Sequence, residues 1–238
     1  MTGLARILAL LLAGYLVAGQ PVVGAWSQRR FTGTLPADPA ARMARYRRTI
    51  LLEWPLAAVA LLLAGLAPGL DLAGCGVGWP RLNGYTVVGG FGLVASAALL
   101  AGLRRRVDQG TEVVAPTEVA VLLPRTAAER RAFLALAVTA GICEETLYRG
   151  FLLALATQAA PDLAMGWLSL ASALAFGLAH VYQGPAGVAT SVVLGGCLAV
   201  LYLGSGSLLL PVLYHVLIDL RVLVLAVGRR RQPRHRAG

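Results

Sequence analysis

The sequence predicts an all-α, polytopic transmembrane helical bundle of about seven spans. Three observations carry that expectation: a mean hydropathy of +0.72 with only 13% charged residues, seven apolar segments of roughly membrane-crossing length, and arginines gathered between those segments rather than inside them. A soluble domain carries roughly 25% charged residues. This 238-residue chain therefore lacks the polar groups to cover its own surface, and the remainder is expected to face lipid.

A hydrocarbon core about 30 Å thick needs roughly 20 helical residues, each rising about 1.5 Å. Residues 4–26, 49–66, 84–103, 132–156, 163–181, 187–203 and 208–227 approximately meet that requirement. The first segment follows Arg6 and superficially resembles an export signal. Gln20-Pro21 gives no small-x-small cleavage pattern and the chain beyond it stays hydrophobic, so the segment is expected to remain as a helix. Residues 71–84 are glycine-rich, contain Trp79-Pro80 and should form an outer turn with Trp79 near the lipid–water interface.

All 21 basic residues are arginine and oppose 11 acidic residues, a net charge of +10. Arg29, Arg30, Arg42, Arg45, Arg47 and Arg48 follow the first span; Arg104, Arg105, Arg106, Arg125, Arg130 and Arg131 follow the third; Arg229, Arg230, Arg231, Arg234 and Arg236 follow the last. The positive-inside rule puts all three groups in the cytoplasm, with the N-terminus outside and the C-terminus inside. No base-reading or aromatic–basic module accompanies the charge, so nucleic acid is excluded as a partner and membrane lipids are expected instead. Cys75, Cys143 and Cys197 are too few and too dispersed for a disulfide framework or a thiolate zinc site, and read as packing residues.

The chain divides into N-terminal spans with a basic connection (1–106), a cytoplasmic connection (107–130), a polar-cored helical region (131–227) and a basic tail (228–238). Little buried charge is expected in the first three spans. The last four hold Glu144, Glu145, Arg149, His180, Asp219 and Arg221. Ionisable groups at lipid depth are costly and turn toward protein or a water-filled cavity, so the chemistry is expected there.

Within Glu144-Glu145-Thr146-Leu147-Tyr148-Arg149, helical spacing pairs Glu145 with Arg149 and Glu144 with Tyr148 on a face rotated by about 100°. One carboxylate can be held by arginine while its neighbour faces water or a histidine. Phe176 and His180 share a helical side, as do His215 and Asp219. Asp219 is expected to hydrogen-bond His215 and select its tautomer, leaving the other ring nitrogen for substrate, water or metal. A carboxylate base, an imidazole, and a second imidazole with an orienting acid suffice for hydrolysis by activated water.

Glu144-Glu145-x-x-x-Arg149, Phe176-x-x-x-His180 and His215-x-x-x-Asp219, in this order on consecutive apolar segments, resemble the CPBP family of intramembrane proteases. That family includes the membrane CAAX prenyl endopeptidases and bacterial Abi proteins, and the resemblance spans about residues 130–222. It implies a helical membrane peptidase with Glu144 as general base, His180 as its partner in activating water, and Glu145, Arg149, Tyr148 and Phe176 organising the site. His215 and Asp219 correspond to the final histidine and its Asn-or-Asp partner, which help bind the scissile carbonyl. Tyr148 replaces the phenylalanine that often precedes the arginine, and Asp219 stands where asparagine is common.

The expected substrate is a peptide or membrane protein, prenylated or not, and the lysine-free composition fits a bacterial cytoplasmic membrane. No cofactor is favoured. Zinc held by Glu144, His180 and His215 is the alternative, since those residues number the three ligands of a catalytic zinc. A catalytically inactive peptide-binding or immunity-type protein and a small transporter are the other function classes. One conflict remains within the segment map: Glu144 lies about 20 Å from the boundary at Arg131, whereas His180 ends its helix near that boundary. Convergence therefore requires a connection, around residues 158–167, that dips into the membrane, or fourth and fifth spans that tilt or begin elsewhere.

Overall fold

A computed structural model describes residues 3–33, 39–66, 72–111, 120 and 122–228, and among these the regular structure is entirely helical. The tail arginines Arg229, Arg230, Arg231, Arg234 and Arg236, together with Glu112 and Glu118 of the 107–130 connection, lie outside the described residues.

The N-terminal helix comprises α1 (Gly3–Gly14), a π-helical turn (Tyr15–Gly19) and α2 (Gln20–Gly33) without interruption. Helices α3 (Pro39–Gly65) and α4 (Gly84–Asp108) follow. Helix α5 (Ala127–Glu145) continues through a π-helical segment (Thr146–Leu153) into α6 (Ala154–Ala159). A short turn leads to α7 (Met165–Ala179), a 3-10 turn (Val181–Gln183), α8 (Gly184–Ser205) and α9 (Leu209–Gly228).

Among the described residues, five stretches are long and apolar enough to cross a bilayer: Gly3–Phe31, Ala40–Gly65, Gly84–Asp108, Val181–Ser205 and Leu209–Ala226. The other two of the seven expected segments are helical as well: the one through Glu144 carries several charges, and Met165–Ala179 is a shorter apolar helix. Leu10, Leu11, Val88, Phe91, Val94 and Leu99 are exposed on the long helices, as lipid-facing side chains should be.

Small residues set the helix spacing. A β-carbon on Gly177 of α7 would lie 2.3 Å from Val192 Cγ2 of α8, and one on Gly141 of α5 would lie 2.5 Å from Val216 Cγ2 of α9. On the cytoplasmic side expected from the arginines, Thr126 and Glu129 form a capping box at the start of α5. Buried Arg42 of α3 donates to Glu129 Oε1 through Nε at 3.0 Å and lies 2.9 Å from it through Nη2. Tyr46 donates to the Leu122 carbonyl and meets Phe133 edge to face.

At the opposite end, the turn after α3 is latched to the α8–α9 turn. Leu208 N–H donates to the Gly76 carbonyl at 2.9 Å, Arg81 N–H to Ser205 O at 2.8 Å, and Ser207 Oγ to Gly78 O at 2.6 Å. Gly76 has φ of +74°, a left-handed conformation that favours glycine, and its α-carbon faces the Tyr202 ring. Trp79 is exposed in this turn.

The depth conflict disappears because both residues are measured from one hairpin turn. Glu144 lies about four helical turns before Ala159, and the 15 residues of α7 return the chain to His180. The two positions therefore share a level along the bundle, which leaves both within reach of one site.

Candidate active site

The site forms where α5, α7 and α9 meet, with α3 as the facing wall. Glu144 and Glu145 end α5, immediately before the helix widens into the π-helical segment that carries Tyr148 and Arg149. Such widenings often mark functional sites, because the extra residue per turn redirects side chains. Despite it, Arg149 Nη1 donates to Glu145 Oε1 at 2.9 Å, with no exposed side-chain surface on either residue. Arg149 Nη2 donates to the Gly195 carbonyl of α8 at 2.9 Å. A buried charge pair needs such additional bonds to offset its desolvation.

Phe176 occupies the middle of the cluster. Its ring lies under the Arg149 guanidinium at 4.4 Å, and its centroid is 5.3 Å from Tyr148, 4.6 Å from His180 and 5.7 Å from His215. Tyr148 donates toward the Leu16 carbonyl at 3.2 Å and Gln20 Oε1 at 3.0 Å, which ties the N-terminal helix to the same core. One aromatic ring thereby fixes both imidazoles and the arginine.

His180 is the C-cap of α7. Its Nδ1 lies 2.8 Å from the Phe176 carbonyl, which can only accept, so Nδ1 carries the hydrogen and a neutral ring keeps its lone pair on Nε2. His215 Nδ1 lies 2.8 Å from Glu145 Oε1, the oxygen that also receives Arg149. This corrects the expected partnership between His215 and Asp219. Asp219 Oδ2 is 3.9 Å from Nε2, beyond hydrogen-bond length, and the tautomer is set by Glu145 from another helix. The i,i+4 relation put Asp219 alongside the ring but not at Nδ1.

Glu144 Oε2 stands 3.8 Å from Nε2 of His180 and 3.8 Å from Nε2 of His215. That oxygen is buried and has no hydrogen-bond partner among the described residues. The structure therefore brings Glu144, His180 and His215 around one point, with Asp219 at the edge and Glu145, Arg149, Tyr148 and Phe176 behind them. They open into a cavity of about 310 Å³.

The cavity has a wall that the segment pattern understated. Glu53 of α3 lines it together with Glu144, His180, His215 and Asp219. The first three spans are thus not free of functional-depth charge. The legible signal was a glutamate inside an apolar stretch, Ile50 to Leu56, of a candidate span.

Residues 127–221 match the family described as type II CAAX prenyl endopeptidase Rce1-like. The match runs from the start of α5 through Arg221 of α9 and includes Glu144, Glu145, Arg149, His180, His215 and Asp219. This segment is thus similar to the CAAX protease family, in agreement with the CPBP resemblance of the motifs. No curated protein and no solved structure matches the chain.

Proposed function

We propose that this integral membrane protein is an intramembrane endopeptidase in which Glu144 and His180 activate water and His215 stabilises the oxyanion. The position of Glu144 Oε2, between the two Nε2 atoms and without a hydrogen-bond partner among the described residues, carries this reading. A separation of 3.8 Å is too long for a direct hydrogen bond and suits a bridging water. With the His180 lone pair on Nε2, that water can offer one hydrogen to the carboxylate and one to the imidazole, leaving its oxygen to attack the scissile carbonyl.

Attack forms the carbon–oxygen bond as Glu144 accepts the proton. Collapse of the tetrahedral intermediate breaks the carbon–nitrogen bond, and Glu144 returns the proton to the leaving amine. His215 donates Nδ1–H to Glu145; when also protonated at Nε2 it offers a hydrogen bond to the developing oxyanion. Glu145 at 2.8 Å and Asp219 at 3.9 Å supply compensating negative charge. In this reading Asp219 is a counter-charge rather than the orienting residue.

The same residues fit a zinc site poorly in this arrangement. A zinc bound tetrahedrally at ordinary length would draw its ligand atoms to within about 3.3 Å of one another, closer than the 3.8 Å separations here. Among the described residues no cluster of His, Cys, Asp and Glu is arranged to hold a metal ion. Metal independence is therefore part of the proposal. Activity of purified protein should survive prolonged treatment with a zinc chelator, and chelator-induced loss restored by zinc would reverse this assignment.

The substrates proposed are membrane-associated proteins, prenylated ones included, in a bacterial cytoplasmic membrane with the C-terminus on the cytoplasmic side. The test is cleavage in proteoliposomes of an internally quenched farnesylated peptide ending in cysteine, two aliphatic residues and a variable residue. It should be paired with peptidomics of membranes containing wild type or Glu144→Gln protein. Peptide products that require Glu144 are expected. Binding without turnover would support the inactive peptide-binding class, and solute flux without cleavage would support the transporter.

A further inference from the structure

We propose that Glu53 is a substrate-positioning residue of this site, hydrogen-bonding the backbone N–H groups of a peptide held between α3 and the glutamate–histidine cluster. The inference rests on the peptidase reading for the chemistry, but its structural basis lies outside residues 127–221. Arg45, Arg48, Thr49, Leu52, Glu53 and Leu56 all line the cavity, and their spacing of three, four and one residues defines a single face of α3. Along that face the polarity descends from arginines through Thr49 to one carboxyl group, which stands at the level of the catalytic cluster.

Glu53 Oε2 is buried and has no hydrogen-bond partner among the described residues. Elsewhere on α3, buried Arg42 is paired with Glu129, and Trp54 Nε1, on the neighbouring and more exposed residue, donates to Thr139 Oγ1 at 3.2 Å. An unmatched buried acceptor calls for an explanation, because it forfeits hydration without recovering a bond. The cavity supplies one. A peptide lying across it places its carbonyl carbon near Glu144 and turns backbone N–H groups toward the opposite wall, where only an acceptor is useful. A carboxyl on that wall would anchor the peptide backbone across the cavity in the ground and transition states alike, which tightens binding with little effect on kcat.

The test compares wild type, Glu53→Leu and Glu53→Gln in proteoliposomes with the quenched farnesylated peptide. It also measures equilibrium binding of that peptide to the Glu144→Gln protein with and without Glu53→Leu. Leucine keeps the volume and removes the acceptor; glutamine keeps a carbonyl oxygen. The expectation is a roughly tenfold higher KM and Kd for Glu53→Leu, kcat within about threefold, and substantial rescue by Glu53→Gln. Unchanged KM and Kd in Glu53→Leu, or no peptide binding by any of the proteins, would overturn the proposal. Should Glu53→Leu fail to fold, an unchanged KM and Kd in a folded Glu53→Ala protein overturns it equally. Weakened binding without wild-type cleavage would support the positioning role while rejecting the peptidase, so the two readings fail separately.

Discussion

A single oxygen of Glu145, Oε1, receives both His215 Nδ1 at 2.8 Å and Arg149 Nη1 at 2.9 Å. The carboxylate thereby joins α9 to the π-helical segment and orients an imidazole that its own i,i+4 neighbour does not reach. Replacing Glu145 with Gln leaves Arg149 buried opposite a neutral group. We expect a stability loss of about 3–5 kcal/mol and a fall in kcat of roughly 10²-fold or more. Asp219→Asn, at 3.9 Å and partly exposed, should change kcat by no more than about fivefold, equivalent to ~1 kcal/mol. Thermal melts in detergent and cleavage rates would rank the two, and the reverse order would restore Asp219 as the orienting residue.

Glu144 and His180 act on one water in the proposed mechanism, so their losses should not add. Glu144→Gln and His180→Ala should each reduce kcat by roughly 10²–10⁴-fold, and the double substitution should fall little further. Membrane insertion should be unchanged, because Glu144 Oε2 makes no hydrogen bond among the described residues. The informative measurement is the double-mutant cycle on kcat. Multiplicative losses would mean that the two groups serve different steps.

Much of this arrangement was legible from residue type and spacing. The Glu145–Arg149 pair lies within one helix and survives the π-helical widening, and Phe176 lies one turn from His180 as its spacing required. What spacing could not supply was anything set by packing between helices. The Glu145–His215 bond spans α5 and α9, and the tautomer of His180 depends on a carbonyl freed at the end of α7. The common level of Glu144 and His180 is set by the hairpin turn between α6 and α7, a relation that a run of arginines does not mark. Glu53 was overlooked for the opposite reason: one acid in a span with no histidine at helical spacing gives no pattern, although its cost in lipid is a signal in itself.

The packing of α7 on α8 gives an independent handle on His180. A β-carbon at Gly177 would lie 2.3 Å from Val192 Cγ2 and 3.3 Å from both the Val188 carbonyl and the Val192 amide nitrogen. A β-branched side chain has little rotamer freedom to retreat, and the backbone behind it cannot yield. Gly177→Ala should destabilise the protein by about 1–3 kcal/mol and, by moving the end of α7, should lower kcat. A Val192→Ala substitution in the same protein should recover both. Recovery of stability without recovery of kcat would show that His180 is not displaced by this contact.

The junction between α3 and α5 makes a prediction about acid stability outside the spans. Glu129 sits in the first turn of α5, where burial opposes its charge. The N–H groups of Arg125 and Thr126 and the guanidinium of Arg42 outweigh that opposition and hold its carboxyl below the ordinary value of 4.5. A carboxyl that ionises more readily folded than unfolded stabilises the fold fully above its unfolded value, and that contribution disappears as pH falls through the lowered folded value. Melting temperatures should therefore drop more steeply for wild type than for Glu129→Gln as the pH is lowered from about 5. At neutral pH the variant should be the less stable protein, because buried Arg42 has lost its counter-charge. The two melting curves should converge on acidification, and parallel curves would show that the Arg42–Glu129 pair contributes nothing to the joining of α3 and α5.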